Sequence, residues 1–316
     1  MHTYRNALPQ LNGHALLTDS GLETTLVFHE GIDLPCFASY PLLGTAEGRA
    51  QLETYFERHL EIARQRKMGF LLEAPTWRAS PGWGQELGHD RQALQAFNAQ
   101  AIEMMCALRD KAALPHPVVI SGNIGPRGDG YQADTAMTAS EAQAYHADQV
   151  GWFAQTAADM VSAFTLCTVN EAVGIVRAAV EVQIPAVIAF TVETDGCLAD
   201  GTPLGEAITQ TDAATNGKAA YFMVNCAHPE HFEVALRSQE PWLQRLRGIR
   251  ANASRLSHEE LDNADVLDDG NPAELGASYG TLQAQLPHLS VFGGCCGTDS
   301  RHIAEIANNL CCARAA

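Results

Sequence analysis

The stretch Val291-Phe-Gly-Gly-Cys-Cys-Gly-Thr298 is the most informative part of the sequence. An apolar run of strand length leads into two adjacent cysteines, Cys295 and Cys296, with glycines on both sides. Glycine lets the backbone turn sharply and approach a ligand closely. In (β/α)8 barrels, the carboxyl ends of the strands carry the catalytic groups. We therefore predict a buried strand that presents two thiols at the active-site face of a barrel.

A second stretch, Met223-Val-Asn-Cys-Ala-His-Pro229, has the same form. It is an apolar strand ending in Cys226, and the carboxyl ends of parallel barrel strands share one face. Two strands therefore bring three thiols to one barrel mouth. Three thiolates suit Zn²⁺ and leave a fourth tetrahedral position open, as in catalytic zinc sites. We predict that Cys226, Cys295 and Cys296 are both the metal ligands and the catalytic residues.

Apolar runs of strand length recur along the chain and alternate with longer helical patterns. This alternation predicts an α/β fold of the (β/α)8 TIM-barrel type. A doubly wound open sheet is the alternative, but no G-x-G-x-x-G pattern follows the first strand. The predicted strands are Ala15–Thr18, Gly69–Glu73, Val118–Gly122, Met160–Phe164, Ala186–Phe190, Tyr221–Asn225, Gly248–Ala251 and Ser290–Gly293. The predicted helices are Gly48–Lys67, Arg91–Ala112, Ser140–Ala157, Asn170–Val182 and Asp299–Asn309, with Ser140-Glu141 and Asp299-Ser300 as N-terminal caps.

Length and composition limit the class of protein and its partners. Barrels of about 250 residues commonly form one domain, so we expect residues 1–316 to be a single domain. The formal net charge of −17 repels polyanions and argues against nucleic acid as a partner. Neither a signal-peptide pattern nor an apolar stretch of membrane-spanning length is present, so we expect a cytoplasmic protein with no membrane partner. Helical faces of barrels often mediate dimers, and a homo-oligomer is an open alternative.

The nine cysteines lack the regular spacing of a disulfide framework, and a cytoplasm would keep them reduced. Two other zinc chemistries stay open for the predicted thiol cluster. In a zinc hydrolase the fourth position holds water, although three thiolates make zinc a poorer Lewis acid. In a non-catalytic domain a fourth protein ligand, with His228 as the candidate, closes the site. The terminal pair Cys311-Cys312 is expected to be exposed or packing. The cysteines without the context of the predicted cluster are Cys36, Cys106, Cys167, Cys197, Cys311 and Cys312.

The chain resembles the zinc-dependent homocysteine S-methyltransferases in the motifs Gly293-Gly-Cys-Cys-Gly-Thr298, Val224-Asn-Cys226, Thr18-Asp-Ser-Gly-Leu-Glu-Thr24 and Gly201-Thr-Pro-Leu204. The resemblance extends from about Leu16 to Ile306. It implies a (β/α)8 fold, zinc as the cofactor, and transfer of a methyl group from a sulfonium or betaine-type donor to a small-molecule thiol, homocysteine first. Binding at Zn²⁺ lowers the pKa of a thiol, so the thiolate nucleophile dominates at neutral pH.

The resemblance also implies contacts with the substrate. Asp19 matches the position at which family members hold the amino group of the acceptor, and a carboxylate is a suitable partner for an ammonium. A helix-capping role is the alternative for Asp19. Thr165 and Asn225 lie in the matching motifs, and we expect them to bind substrate as well. His228, which follows Cys226 closely, is interpreted as a supporting or structural residue.

Three further carboxylates lie at predicted strand ends or in the loops that follow strands. Glu23, Glu73 and Glu193 are candidates for binding a cationic donor or acceptor, with ion pairing or solvent exposure as the alternative. Trp77 and Trp83 are candidates for an aromatic wall around a methylated cation, with packing as the alternative.

The chain departs from the family pattern at the end of the fourth strand. The family's Glu-Thr pair, whose glutamate binds the amino group of the acceptor, is replaced here by Phe164 and Thr165. A phenyl ring cannot accept a hydrogen bond as a carboxylate does, and such a charged contact contributes about 1.5–3 kcal/mol. A Thr-Asn-Thr segment expected after the second strand is also replaced, by Glu73-Ala-Pro-Thr76. Another thiol or selenol acceptor is therefore the alternative to homocysteine, unless Glu73 or Glu193 compensates.

Overall fold

The computed structural model describes residues 2–132, 137–264 and 266–310. Its strands are β1 (Leu16–Leu17), β2 (Gly69–Glu73), β3 (Val118–Ile124), β4 (Met160–Leu166), β5 (Ala186–Phe190), β6 (Tyr221–Asn225), β7 (Leu246–Ala251) and β8 (Val291–Gly294). All neighbouring strands are parallel, and β8 pairs with β1 to close the barrel in sequence order. The predicted (β/α)8 barrel is therefore confirmed, and each predicted strand is present.

Helices follow the strands and surround the barrel. The α-helices are α1 (Leu22–Thr24), α2 (Ala46–Arg66), α3 (Pro81–Glu86), α4 (Arg91–Ala112), α5 (Ala139–Ala154), α6 (Val169–Glu181), α7 (Leu204–Thr215), α8 (Pro229–Phe232), α9 (His258–Asp262), α10 (Pro272–Gln285) and α11 (Ser300–Asn309). One π-helical segment, Thr25–His29, continues α1. Short 3-10 turns lie at Pro9–Leu11, Pro35–Phe37, Tyr40–Gly44, Ala235–Arg237 and Pro241–Arg245.

The helix ends follow from local capping. Asp299 caps α11 as predicted, because its carboxylate accepts the Arg301 N–H. The predicted cap of α5 at Ser140-Glu141 is wrong: the helix begins at Ala139, and Thr138 is the cap. Thr138 accepts from the Glu141 N–H while the Glu141 carboxylate accepts from the Thr138 N–H, so the capping box moves the helix start towards the N-terminus.

The strands carry apolar side chains on both faces, which explains why they are continuous apolar runs in the sequence. Side chains such as Leu71, Val119 and Met223 fill the inside of the barrel. Their outward-facing neighbours, such as Leu72 and Ile120, pack against the helices. A parallel sheet buried on both faces requires this pattern.

The N-terminal segment closes the end of the barrel at which the strands begin. Leu8 and Tyr4 pack against the inner cluster of the barrel. Asp159, immediately before β4, accepts the N–H groups of Thr3, Tyr4 and Ile120 at 2.7, 2.6 and 3.0 Å. These bonds fix the segment beneath the barrel, so the opposite, carboxyl end of the strands is left to form the site.

The cysteines outside the predicted cluster form no disulfide among the described residues. Cys36, Cys106, Cys167 and Cys197 are free thiols, and the terminal pair Cys311-Cys312 lies outside the described residues. The loop after β3, rich in Gly, Asp and Thr, is described except for residues 133–136. None of the helices within the described ranges is long and apolar enough to cross a membrane.

Candidate active site

Three cysteine sulfurs meet at the carboxyl ends of β6 and β8. The Sγ atom of Cys226 lies 2.7 Å from that of Cys295 and 3.5 Å from that of Cys296. All three sulfurs lie within 4.8 Å of one another, and Cys226 is buried. The structure thus brings together the three thiols that the two sequence stretches predict.

The backbone around the cysteines is unusually tight. Cys226 has a left-handed φ of 56°, and Gly297 has a φ of 76° directly after the cysteine pair. A Cβ on Gly293 would lie 2.8 Å from the Thr18 methyl carbon, and one on Gly294 would overlap the Thr298 hydroxyl. Gly293 is therefore required by close packing against Thr18, Gly294 by close packing against Thr298 in the turn after β8, and Gly297 by its φ.

The pKa values of the three thiols are shifted in different directions by their mutual contacts. Hydrogen bonds with Cys295 and Cys296 hold the pKa of Cys226 well below its usual range. The same contact with Cys226 raises the pKa of Cys295 to about 12, and it raises that of Cys296 well above its usual value. The three thiols therefore titrate as a coupled group, in which ionisation of one sulfur opposes ionisation of its neighbours.

Two residues that sequence reasoning missed contact the cluster. The Tyr131 hydroxyl lies 3.1 Å from the Cys226 sulfur, and the Tyr131 ring packs on the His258 ring with centroids 4.1 Å apart. The His258 ring nitrogens lie 2.6 Å from the Cys226 carbonyl oxygen and 2.8 Å from a Glu193 carboxylate oxygen. Tyr131 lies in the loop after β3 and His258 begins the short helix α9, so only the fold brings them to the cysteines.

Asp19 and Arg250 form a buried ion pair beside the cluster. An Nη atom of Arg250 lies 3.1 Å from the Asp19 carboxylate, and the Tyr55 hydroxyl donates to the same carboxylate at 3.2 Å. Arg250 also donates to the carbonyls of Gly294 and Ser20. Asp19 therefore faces the site, as predicted, but already has a cationic partner. It is not a helix cap, because Gly21 occupies the cap position of α1.

Asn225 joins the ends of β4 and β6. Its side-chain carbonyl accepts the Thr165 N–H at 2.8 Å, and its amide donates to the Thr165 hydroxyl at 3.0 Å. Thr165 has a left-handed φ of 61°, which is rare for a β-branched residue. Asn225 thus supports the strained residue on β4 and immediately precedes Cys226.

Two carboxyl groups have strongly raised pKa values. Burial raises the pKa of Glu73 to about 7, although the charge of Arg250 partly opposes this. Burial also raises the pKa of Glu23 to about 7, and the Ser39 hydroxyl donates to its carboxylate at 2.8 Å. Perturbed carboxyls beside a cluster of thiols are typical of functional sites.

These groups line a cavity of about 420 Å³ at the carboxyl ends of the strands. Glu193 is not part of its wall, because its carboxylate is turned to His258. Trp77 lines the cavity and Trp83 does not, and the Arg78 guanidinium lies between them, 3.9 and 3.7 Å from their rings. The aromatic wall is therefore occupied by an internal cation. The predicted site residues that do line the cavity are Asp19, Glu23, Glu73, Thr165, Asn225, Cys226, Cys295 and Cys296.

Phe164, the residue that departs from the family pattern, also lines the cavity. Its ring lies inside the barrel, with the Arg250 guanidinium carbon 5.0 Å from the ring centroid. An aromatic face attracts a guanidinium, so Phe164 and Asp19 together hold Arg250 in place.

The donor set of the cluster fits a soft metal ion. Three thiols on rigid strand ends offer the ligand type that zinc prefers. Within the described part of the chain, no His, Asp or Glu joins the three cysteines as a fourth ligand. His228 instead caps α8, because its Nδ1 accepts the Glu230 N–H. The structure therefore does not group His228 with the three cysteines, and its side chain has a structural contact at the start of α8.

The fold and the site are those of a (β/α)8 barrel with a cluster of three cysteines at the carboxyl ends of its strands. Residues 16–310 match the family model described as homocysteine S-methyltransferase, so the chain belongs to this family of methyltransferases.

Solved structures agree with the fold. The homocysteine methyltransferase MmuM from Escherichia coli in its oxidised form has a TM-score of 0.78 and 20% identity, over 97% of this chain and 99% of that one. Its metallated form has a TM-score of 0.74 and 19% identity, over 95% and 98% of the two chains. At this identity the likeness shows a shared fold. No curated protein matches the sequence.

Proposed function

We propose that this enzyme moves a methyl group from a sulfonium or betaine-type donor to the thiolate of a small thiol, with homocysteine as the first-choice acceptor and methionine as the product. The proposal includes a zinc ion held by Cys226, Cys295 and Cys296. The observation that carries it is the convergence of these three thiols, within 4.8 Å of one another, on the wall of the cavity. When bound, zinc lowers the pKa of an acceptor thiol and so supplies a thiolate at neutral pH.

The cavity favours a cationic methyl donor. Acidic side chains outnumber the basic ones in its wall, and the chain as a whole carries a formal net charge of −17. An excess of negative charge in a cleft raises the local concentration of cationic ligands. The acidic residues of the wall are Asp19, Glu23, Glu73, Asp129, Asp262 and Asp268, and the basic ones are Arg78 and Arg250.

The chain's own groups would position the two substrates for direct displacement. The acceptor sulfur forms a bond to the methyl carbon while the bond from that carbon to the donor breaks. The donor leaves with the electron pair as a neutral thioether or amine, and the acceptor's thiol proton passes to solvent before the transfer. Apolar side chains of the wall, such as Leu22, Phe37 and Phe164, exclude water around the transferred group. The free thiols require a reducing compartment, which supports a cytoplasmic location.

The test supplies deuterated L-homocysteine and measures deuterated methionine by mass spectrometry. Labelling the acceptor separates the product from methionine that a sulfonium donor releases. The zinc-loaded, reduced enzyme is incubated with S-methylmethionine, S-adenosylmethionine or betaine. We expect labelled methionine with at least one donor, and a loss of about 10-fold or more in Cys296→Ser, because one of the proposed zinc ligands is removed.

Cys106→Ser is the matched control, because this half-buried cysteine on α4 lies outside the cavity wall. It should keep full activity. Zinc bound through the cysteines without any labelled methionine would refute homocysteine as the acceptor and direct the search to other thiols and selenols. Equal activity of the wild type and Cys296→Ser would refute the role of the cluster.

A further inference from the structure

Two hydrogen-bond acceptors in the cavity wall have no donor. The Oε2 atom of Glu73 and the Oδ1 atom of Asn123 are buried without a hydrogen-bond partner among the described residues. Both residues line the cavity, and Glu73 is only 2% exposed. A buried acceptor without a donor costs about 1–3 kcal/mol, and more when it is charged. Residues that line a cavity and carry such acceptors point to a ligand that supplies the missing donors.

The hydroxyl groups of the barrel leave one oxygen of Glu73 without a donor. The Ser162 hydroxyl donates to Oε1 of Glu73 at 2.9 Å, and Ser162 in turn lies 2.8 Å from the Ser121 hydroxyl. The nearby cation, Arg250, is engaged by Asp19 and by the carbonyls of Gly294 and Ser20. Oε2 is therefore left as the free oxygen of a fixed carboxyl group.

Asn123 lies on the strand next to Glu73. The register pairs Glu73 of β2 with Ser121 of β3, and Asn123 follows two residues later on the same face of β3. The two acceptors thus belong to neighbouring strands at the carboxyl end of the barrel. Asp19 and Glu23, by contrast, already receive donors from Arg250, Tyr55 and Ser39.

We propose that Glu73 and Asn123 form the subsite that binds the α-ammonium group of an aminothiol acceptor. This inference rests on the proposed function and names the residues that recognise its substrate. An ammonium group offers three N–H donors and a positive charge, which together match a carboxylate oxygen and an amide oxygen. A sulfonium or quaternary ammonium centre has no N–H and cannot fill the subsite, so among the donors only the α-ammonium group of a sulfonium amino acid competes with that of the acceptor.

The depth of the subsite favours the acceptor over the donor. Glu73 is almost fully buried, whereas the rim of the cavity includes Phe28 and Val266, which are 49% and 77% exposed. A donor must reach an acceptor that is already bound near the cysteines, so it enters from the rim. The ammonium that reaches the inner subsite is therefore that of the acceptor.

The test compares two acceptors that differ only in the amino group, L-homocysteine and 4-sulfanylbutanoate. Their binding to the zinc-loaded enzyme is measured by calorimetry, and their methylation is measured as kcat/KM. We expect Glu73→Gln to weaken binding of L-homocysteine by about 10- to 100-fold, because the charge-assisted contact is lost. Binding of 4-sulfanylbutanoate should change by less than about 2-fold, since it makes no such contact. Asn123→Ala should show the same selective pattern with a smaller loss.

Glu47→Gln is the matched control, because Glu47 is exposed in the first turn of α2, and it should alter neither acceptor. Equal losses for the two thiols, no loss for either, or a rise confined to the KM of the donor would overturn the subsite. Failure of the wild type to bind either thiol would overturn it as well. Selective binding of L-homocysteine without any methionine formed would uphold the subsite and refute the proposed function.

Discussion

At the scale of single residues, the site depends on strained backbone held by side-chain hydrogen bonds. Thr165 and Cys226 both have a left-handed φ, at 61° and 56°. Such conformations cost about 1–3 kcal/mol each and persist only where the surroundings impose them. Asn225 holds Thr165 in its left-handed conformation through two hydrogen bonds, and Asn225 is also covalently joined to Cys226. The asparagine of the Val-Asn-Cys motif therefore fixes the geometry of the cysteine that follows it.

The Glu73 carboxyl predicts an unusual dependence of stability on pH. Its pKa is about 7 in the folded protein against an ordinary value of 4.5. Between these values the folded state binds more protons than the unfolded state, so folding stability falls as the pH rises from 4.5 to 7. Glu73→Gln has no ionisable group at this position, so this dependence of stability on pH is lost. We expect its free energy of unfolding, relative to that of wild type, to rise by up to about 3 kcal/mol between pH 4.5 and 8.

Urea unfolding of the ligand-free proteins at several pH values measures this difference. The raised pKa of Glu23 is present in both proteins and cancels in the comparison. Glu47→Gln should run parallel to the wild type over the whole range. Parallel curves for Glu73→Gln and wild type would mean that the Glu73 carboxyl ionises in the folded protein as it does in water.

The residues predicted from sequence were those that follow an apolar strand directly. Cys226 and Cys295 could be found because a strand places its next residues at the barrel mouth. Arg250 was missed although it lies on β7, because nothing local distinguishes a buried arginine from an exposed one. Its partner Asp19 is far away in sequence, and only closure of the barrel brings the two together. Tyr131 and His258 were missed for the same reason.

At the scale of elements, the N-terminal segment is part of the barrel's structure. Arg5 donates to the carbonyls of Ala154, Thr156 and Ala158 at the end of α5 and in the turn that follows. Asp159 holds the backbone of Thr3 and Tyr4. This segment was not predicted as an element because it has no helical or strand periodicity. The strands were predictable because burial on both faces makes them continuously apolar.

Asp159→Ala should therefore destabilise the fold without affecting the cysteine site. Three backbone N–H groups lose their acceptor, and that of Ile120 is buried. We expect a loss of about 2–4 kcal/mol in the free energy of unfolding, measured with urea. Zinc content should stay at the wild-type level, because Asp159 lies at the opposite end of β4 from the cysteines. Asp110→Ala, at an exposed position, is the control, and a loss under 1 kcal/mol for Asp159→Ala would contradict the role of the segment.

At the scale of the whole molecule, the barrel has one closed end and one open end. The N-terminal segment fills the end at which the strands begin, and the cavity occupies the end at which they finish. The closed end is built from apolar packing and backbone hydrogen bonds, whereas the open end gathers thiols, buried carboxyls and a buried arginine. Groups that cost folding energy are thus collected where a ligand or a metal ion can stabilise them.

The proposed zinc ion should therefore couple to the stability of the whole protein and to pH. In the metal-free protein the contacts with Cys226 raise the pKa values of Cys295 and Cys296, so these two thiols keep their protons at neutral pH. Binding through three thiolates must displace about two protons, so zinc affinity should rise with pH. A metal that binds only the folded state at 1,000 times its Kd adds about 4 kcal/mol of stability.

The displaced protons are counted by calorimetric titration of the metal-free, reduced protein with zinc in two buffers of different ionisation enthalpy. The stabilisation by zinc is measured by thermal unfolding with and without a chelator. We expect about two protons released near pH 7 and a Tm that falls when zinc is removed. Cys226→Ser removes one of the three proposed ligands, so it should lose most of the affinity and show the same Tm with or without chelator. Cys106→Ser should behave as wild type. A wild-type Tm that does not respond to zinc, or an affinity that falls as the pH rises, would exclude a three-thiolate site.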